Sequence, residues 1–265
     1  MKMLSRLIDD GGAEMTVQVL HPPGADEPRR LVLRCRVRTH DVQDVTLAHA
    51  DEVATFAIQK RTDEHLSGRL LLEQALRQWG FDASMISVER TEHRAPYLTY
   101  IPGVWKNTAL PSISLGHSDG WAYVALVEHG WQIGVDAESK ERGIQKNAFD
   151  MMAKGEELNH LDTHPELAIE AWVGKEAVQK SLGLGMHLNP RVIEIPIGVG
   201  LVNISIEDSK IQLEKWIQDG AFIALALTPG LRGTVTAEDA LLQATREAMI
   251  EGDWGVGCKT TRSNA

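Results

Sequence analysis

A hexapeptide near the middle of the chain, Ile133-Gly134-Val135-Asp136-Ala137-Glu138, constrains the fold more than any other stretch. Read as a strand, its side chains alternate between two faces. Ile133, Val135 and Ala137 then enter a core, and Asp136 and Glu138 share the opposite face. Two carboxylates side by side repel each other unless a cation lies between them. A few hard oxygen ligands, with room left for water and phosphate oxygens, suit Mg²⁺. The plain alternative is a strand end with two solvated acids.

A second stretch, Trp172-Val173-Gly174-Lys175-Glu176-Ala177-Val178-Gln179-Lys180, lies in a segment of helical period. Leu167, Ala171, Val178 and Leu182 form one stripe, and Trp172, Glu176 and Lys180 follow one another at four-residue steps on a roughly opposite side. Ile169 and Val173 flank that line, so Glu176 sits among apolar neighbours and needs a charged partner. Lys180, one turn on, supplies the simple answer of a helix ion pair; a metal or a substrate is the functional one.

The frame around these stretches reads as soluble and intracellular. The chain of 265 residues allows one large core or two modest ones, and 43% hydrophobic with 24% charged residues is ordinary for a globular protein. A net charge of −10 argues against general nucleic-acid binding, which needs a basic footprint, without excluding a local basic patch. The two cysteines, Cys35 and Cys258, form neither a disulfide framework nor a zinc pattern, so a reducing cytoplasm is expected. Met1 to Gly12 lacks the apolar run of a signal peptide, and no stretch approaches membrane-spanning length.

Along the chain, Met15 to Leu20 and Leu31 to Val37 read as strands. In the second, Leu31, Leu33, Cys35 and Val37 share one face, while Val32, Arg34, Arg36 and Arg38 are expected on a solvated one. A helical region runs from about Asp51 to Trp79 and closes at Gly80. Met85 to Glu89 is a short strand, followed by a loop through Pro96, Pro102 and Gly103 to Pro111, with a boundary near Leu110. Ser112 to Leu115, a turn over Gly116 to Gly120, Trp121 to Val127, a hairpin turn at Glu128-His129-Gly130 and a return strand from Trp131 to Glu138 come next. Helices are expected over Phe149 to Leu161 and from His164-Pro165 to about Leu182. Val192 to Ile195, Gly200 to Ile206, Lys210 to Ile217 and Ala221 to Leu227 suggest a closing antiparallel meander. Thr234 to Glu251 suits a surface helix, and Gly252 to Ala265 has the composition of a disordered tail.

Taken in order, these pieces resemble a known family. Gly134-Val135-Asp136-Ala137-Glu138, followed about forty residues later by Trp172-x-x-Lys175-Glu176-Ala177-x-x-Lys180-x-x-Gly183-x-Gly185, looks like the paired signature of the phosphopantetheinyl transferase superfamily. Ile113-Ser114-Leu115-Gly116-His117-Ser118 resembles the family's Ser-His-Ser segment. Arg94-Ala95-Pro96-Tyr97-Leu98 is similar to its Gly-Lys-Pro segment, and Glu156 falls where the family has a Glu between the acidic motifs. The resemblance spans about Lys60 to Pro190; each motif alone is weak, and the ordered set is specific.

The resemblance implies transfer of the 4'-phosphopantetheine arm of coenzyme A to a serine hydroxyl of an apo acyl, polyketide or peptidyl carrier protein, with release of 3',5'-ADP. It implies that Asp136, Glu138 and Glu176 hold Mg²⁺, with Mn²⁺ as a substitute, and that Glu176 is the general base. Lys180 becomes a phosphate contact, and Lys175 either a second one or a surface lysine. His117 takes the position of a contact to the 3'-phosphate of coenzyme A, with Ser118 beside it; Lys60 and Arg61 lie where the family places further basic contacts. Two departures stand out. Gly116 replaces the serine expected before His117, and Ala95 replaces the lysine before Pro96, leaving Arg94 to take over that contact.

By the same resemblance the fold is α+β, of the longer surfactin-synthetase-activating type, with two similar halves packed about a pseudo-twofold axis and coenzyme A between them. Residues 1–110 would form the N-terminal half, 111–230 the half carrying the metal and catalytic motifs, and 231–265 a helix plus tail. A monomer is expected, with carrier docking at an apolar patch near Leu182 to Met186. The competing functions are a non-catalytic coenzyme A or carrier-binding module of the same fold and a Mg²⁺-dependent phosphohydrolase.

Overall fold

Alternation of apolar residues sets the strands of this chain, and a computed structural model describes residues 4–8, 14–104, 106 and 108–230. The helix and tail expected beyond residue 230 lie outside the described residues. The strands are β1 (Leu4–Ile8), β2 (Glu14–Leu20), β3 (Arg30–Arg36), β4 (Ile86–Arg90), β5 (Pro96–Tyr100), β6 (Ser112–Ser118), β7 (Trp121–Val127), β8 (Trp131–Ser139), β9 (Gly200–Ile206), β10 (Ser209–Gln218) and β11 (Ala221–Pro229). They form two antiparallel sheets, ordered β1-β2-β3-β7-β6 and β8-β11-β10-β9, and a separate β4-β5 hairpin. The helices are α1 (Ala50–Val53), α2 (Gln59–Trp79), α3 (Phe149–Met152), α4 (Gly155–Thr163) and α5 (Ala168–Ser181).

Four layers result. The two sheets face each other across one core, in which Val32, Tyr123 and Val127 meet Ile133, Val135, Ile223 and Leu225. On the outer face of the first sheet, Val17, Leu33, Cys35, Val124 and Leu126 pack on Leu66, Leu70, Leu72 and Leu76 of α2. On the outer face of the second, Leu213, Ala224 and Ala226 pack on Val173, Ala177 and Val178 of α5. The expected α+β class with antiparallel sheets and flanking helices holds. Cys35 lies under α2, and burial pushes its thiol up to about 12, so it is no nucleophile.

Stacking two sheets explains why several local expectations fail. Arg34 points between the sheets instead of into solvent, is 1% exposed, pairs with Asp219 and lies over the Trp121 ring at 4.2 Å. Arg36 and Arg38 remain exposed. Arg30 reaches across to a buried Glu214 at 2.5 Å, tying β3 to β10. Trp121 to Val127 and Trp131 to Ser139 are not hairpin partners: β7 pairs with β3 and β6, and β8 pairs with β11. The Glu128–Gly130 turn therefore carries the chain from one sheet to the other. Strands β6 and β7, both beyond Leu110, complete the first sheet.

Other differences have local causes. The helical region from Asp51 breaks before Gln59, where Ile58 is extended and Phe56 turns its ring onto His65 at 5.1 Å. The helix expected over Phe149 to Leu161 breaks where Ala153 and Lys154 are extended and Gly155 has φ +58°. Pro96 opens an unexpected strand, which is permitted because a first strand residue need not donate. Strand β6 runs on to Ser118 and turns at Asp119 and Gly120, both at positive φ, as a two-residue hairpin requires. Val192 to Ile195 is not a strand, since its neighbourhood's carbonyls are engaged elsewhere, as described below. No helix among the described residues is long and apolar enough to cross a membrane.

Candidate active site

The outermost strand of any sheet leaves backbone groups without a ladder partner. Strands β6 and β8 are such edges, and here they meet. The Ser114 hydroxyl accepts the Val135 N–H at 3.0 Å, and Lys180 Nζ donates to the Val135 carbonyl at 3.2 Å. Helix α5 lies directly on β8 because Gly134 has no side chain: a Cβ there would stand 1.9 Å from the Ala177 carbonyl oxygen. That close approach sets Glu176 and Lys180 over Asp136. Along α5, Trp172, Glu176 and Lys180 are the half-open line of an otherwise buried helix. The alternation read for residues 133–138 also holds: Ile133, Val135 and Ala137 face the other sheet.

The polar groups interlock. Asp136 is buried and accepts from Lys180 Nζ at 2.6 Å; Glu176 Oε2 lies 3.9 Å from the same ammonium. Glu138 accepts from Arg142 at 2.5 Å through one oxygen and from the Ser118 hydroxyl at 2.5 Å through the other. Burial, then the Asp136 charge, pushes Glu176 up to about 7. Burial also raises Asp136, with Lys180 opposing. Lys180 is raised: burial works against its charge, but Asp136 and Glu176 outweigh that.

Among the described residues, no group of three or more His, Cys, Asp or Glu side chains converges closely enough to hold a metal ion. The donor chemistry nevertheless fits one. The Asp136 and Glu138 charges both act on Glu176, and the Glu138 charge acts on Asp136. Three carboxylates thus stand against Lys180 and Arg142, an excess of negative charge beside a half-open cleft. Mg²⁺ needs only one or two carboxylates when water and substrate phosphates complete its shell.

On the first-sheet side, Arg61 Nη1 lies 2.6 Å from His117 Nε2. A guanidinium only donates, so that ring nitrogen accepts and His117 is neutral. Its pKa is lowered accordingly, by burial first, with Arg61 and Lys180 adding to it. Glu64 Oε2 lies 3.5 Å from the opposite ring nitrogen.

Asp136, Glu138, Glu176, Lys180, Ser118, His117 and Arg61 are therefore one interacting group. Lys60 is at its rim, 78% exposed and 3.8 Å from Glu64. Arg94 is exposed in the turn between β4 and β5 at φ +64°. Its neighbour His93 has its ring 4.5 Å from that of His187, which follows α5. Lys175 is not brought to the group. It is fully buried and donates to Glu157 Oε2 at 2.8 Å, to the Pro190 carbonyl at 3.0 Å and to the Ile193 carbonyl. Neither the surface-lysine reading nor the phosphate-contact reading describes it. Glu156 is exposed, and its neighbour Glu157 makes that pair.

Three site residues escaped the sequence reading. Glu64 was findable, since it stands one turn after Lys60 on the same helix. Arg142 follows a strand end and Ser114 caps a neighbouring strand, and neither position carries a periodic signal.

Fold and site together define an antiparallel α+β protein whose acid-and-lysine cleft lies where two sheet edges meet. Residues 132–227 match the family model described as the 4'-phosphopantetheinyl transferase superfamily, so this part of the chain is similar to that superfamily. The match takes in β8 to β11 and α5, hence Asp136, Glu138, Glu176 and Lys180; Arg61, His117 and Ser118 lie before it. No curated protein matches the chain.

Proposed function

We propose that this protein transfers the 4'-phosphopantetheine group of coenzyme A to a serine hydroxyl of an apo acyl, polyketide or peptidyl carrier protein, as a holo-carrier synthase. The observation that carries the reading is the placing of Asp136, Glu138, Glu176 and Lys180 at one cleft within the region matched to the superfamily. In the reaction the serine oxygen bonds to the phosphorus that bears the pantetheine arm. The bond from that phosphorus to the bridging oxygen breaks, and 3',5'-ADP leaves with the electron pair.

Glu176, whose carboxyl burial and the Asp136 charge push up to about 7, is the candidate to take the serine proton. Lys180, a point charge on a long stem, meets a phosphate oxygen of the pyrophosphate. Arg61 presents donors at the mouth for the 3'-phosphate, and neutral His117, whose Nε2 accepts from Arg61 and whose other ring nitrogen faces Glu64, stands beside that contact. Mg²⁺ would be held by Asp136 and Glu176 with Glu138, and when bound it neutralises charge on the departing bisphosphate. One long helix on the outer face of each sheet supports two similar halves about a pseudo-twofold axis, with the chain passing from one sheet to the other at the Glu128–Gly130 turn instead of near Leu110. A monomer in the cytoplasm goes with this reading.

Intact mass of an apo carrier protein, after incubation with the protein, coenzyme A and Mg²⁺, tests it. The expected result is a phosphopantetheine mass gain, abolished by Glu176→Ala and by a chelator. No gain on carriers of fatty acid, polyketide and nonribosomal peptide type, with coenzyme A still bound, would leave a binding module instead. Adenosine bisphosphate release without any carrier would point to a phosphohydrolase.

A further inference from the structure

The acid cluster already contains a cation of the chain's own. Lys180 Nζ touches Asp136 Oδ1 at 2.6 Å and the Val135 carbonyl at 3.2 Å, with Glu176 Oε2 at 3.9 Å. Two features make this a seat for the ammonium. The Val135 carbonyl belongs to a sheet edge, points away from β11 and is capped by this lysine. Gly116, across the gap on β6, leaves the space open: a Cβ there would stand 3.5 Å from Nζ and 3.3 Å from that carbonyl. Glu138 is held in the same manner by Arg142 and Ser118.

We propose that Lys180 is a resident counterion of the acid cluster, and that a divalent cation enters by exchange, displacing the ammonium from Asp136. The proposal rests on the transferase reading only for the assignment of these acids as metal ligands. Its logic is competition between cations. The ammonium sits 2.6 Å from Asp136 Oδ1, and a divalent ion on the same carboxylate is repelled by it, so each weakens the other's hold by the same factor. Apparent metal affinity is then reduced by the ammonium's occupancy of its seat. The displaced ammonium keeps its long stem and its place on α5, and becomes available to a phosphate oxygen as the metal arrives. Loading the metal thereby arms the phosphate contact.

Mn²⁺ binding to the full chain at pH 8, without coenzyme A or carrier, tests the exchange; free Mn²⁺ is read by electron paramagnetic resonance. That pH is above the value of about 7 to which Glu176 is raised, so protons compete little. Lys180→Met is expected to bind Mn²⁺ roughly tenfold tighter than the wild type, the gain set by freeing Asp136. Gly116→Ala, which crowds the seat while keeping the lysine, is expected to tighten binding by a smaller factor. Lys210→Met, an exposed lysine on β10, removes the same charge and is expected to stay within about twofold, since solvent and salt screen it. Thermal melts confirm that each variant is folded. Unchanged or weaker binding by Lys180→Met overturns the proposal, as does equal tightening by Lys210→Met. Absence of Mn²⁺ binding in every variant overturns it together with the metal assignment. Exchange without any carrier modification would remove the transferase reading and leave the exchange standing.

Discussion

Lys175 and Lys180 occupy the same helix, and their surroundings treat them in opposite ways. The Lys175 ammonium has three donors and three acceptors, from Glu157, Pro190 and Ile193, in a fully buried site. Only Glu157 Oε1 is left without a hydrogen bond there. Lys180 is 29% exposed and faces more carboxylates than it can neutralise. A closed polar group of the first kind fastens a loop to a helix. An open one with surplus charge is poised to take a ligand. The difference teaches that burial alone does not mark a functional lysine; what matters is whether its partners are used up.

The largest expected effects come from removing each lysine in turn. Lys175→Met leaves Glu157 charged and buried without its partner, and is expected to cost about 3–5 kcal/mol in denaturant unfolding. Lys180→Met breaks a partly exposed pair and is expected to change stability by about 1 kcal/mol or less. Carrier modification should follow the reverse order, with Lys180→Met slowed at least roughly a hundredfold, the effect of losing one charge-stabilising donor. A Lys180→Met protein destabilised as much as Lys175→Met, or a Lys175→Met protein within about 1 kcal/mol of the wild type, would break the comparison.

The acids sharpen it through pH. Glu176 is raised from the usual 4.5 to about 7, so the folded state binds this proton more tightly than the unfolded state does. Its contribution to stability is fully present below about 4.5 and is lost as pH rises through 7. Glu176→Gln is therefore expected to be more stable than the wild type at pH 8, with metal removed, by about 1–2 kcal/mol after allowance for solvent screening. Near pH 4 the two should coincide. Glu157→Gln is expected to be less stable than the wild type at pH 8, because it strips Lys175 of its counter-charge. Equilibrium unfolding at both pH values would reveal whether the two signs differ.

The smallest effect concerns where the open side of α5 leads. Met186, just beyond the helix, is 67% exposed. With a chain of net charge −10, docking of an acidic carrier is expected to use such apolar contacts. Met186→Glu should raise the carrier KM by about threefold to tenfold with little change in kcat, the range for one well-placed contact residue. An unchanged KM would place carrier docking elsewhere.

How much of this was readable in advance follows from what a period encodes. Alternation over residues 133–138 and four-residue steps over Trp172, Glu176 and Lys180 state which side chains share a face. Both survive unchanged. A period does not state what lies opposite. Arg34 reads as solvated until a second sheet covers it, and Lys175 reads as surface until residues 190–193 return across the helix. The Glu128–Gly130 turn has hairpin length, and only the buried faces on both sides of β7 and β8 reveal that it links separate sheets.

The pairing of β8 with β11 bears on how the molecule is made. Asp136 and Glu138 lie opposite Ala224 and Phe222, so their strand has no ladder partner until that distant segment exists. At ordinary translation speeds the interval is roughly 4–18 s. Through roughly the later half of that interval, once Lys180 has been made, the nascent chain carries all three acids and Lys180 while the strand that aligns them is still unmade. The arrangement of the cluster therefore comes with the last described strand, and a chain terminated before Ala221 would hold every one of these residues without the geometry that brings them together.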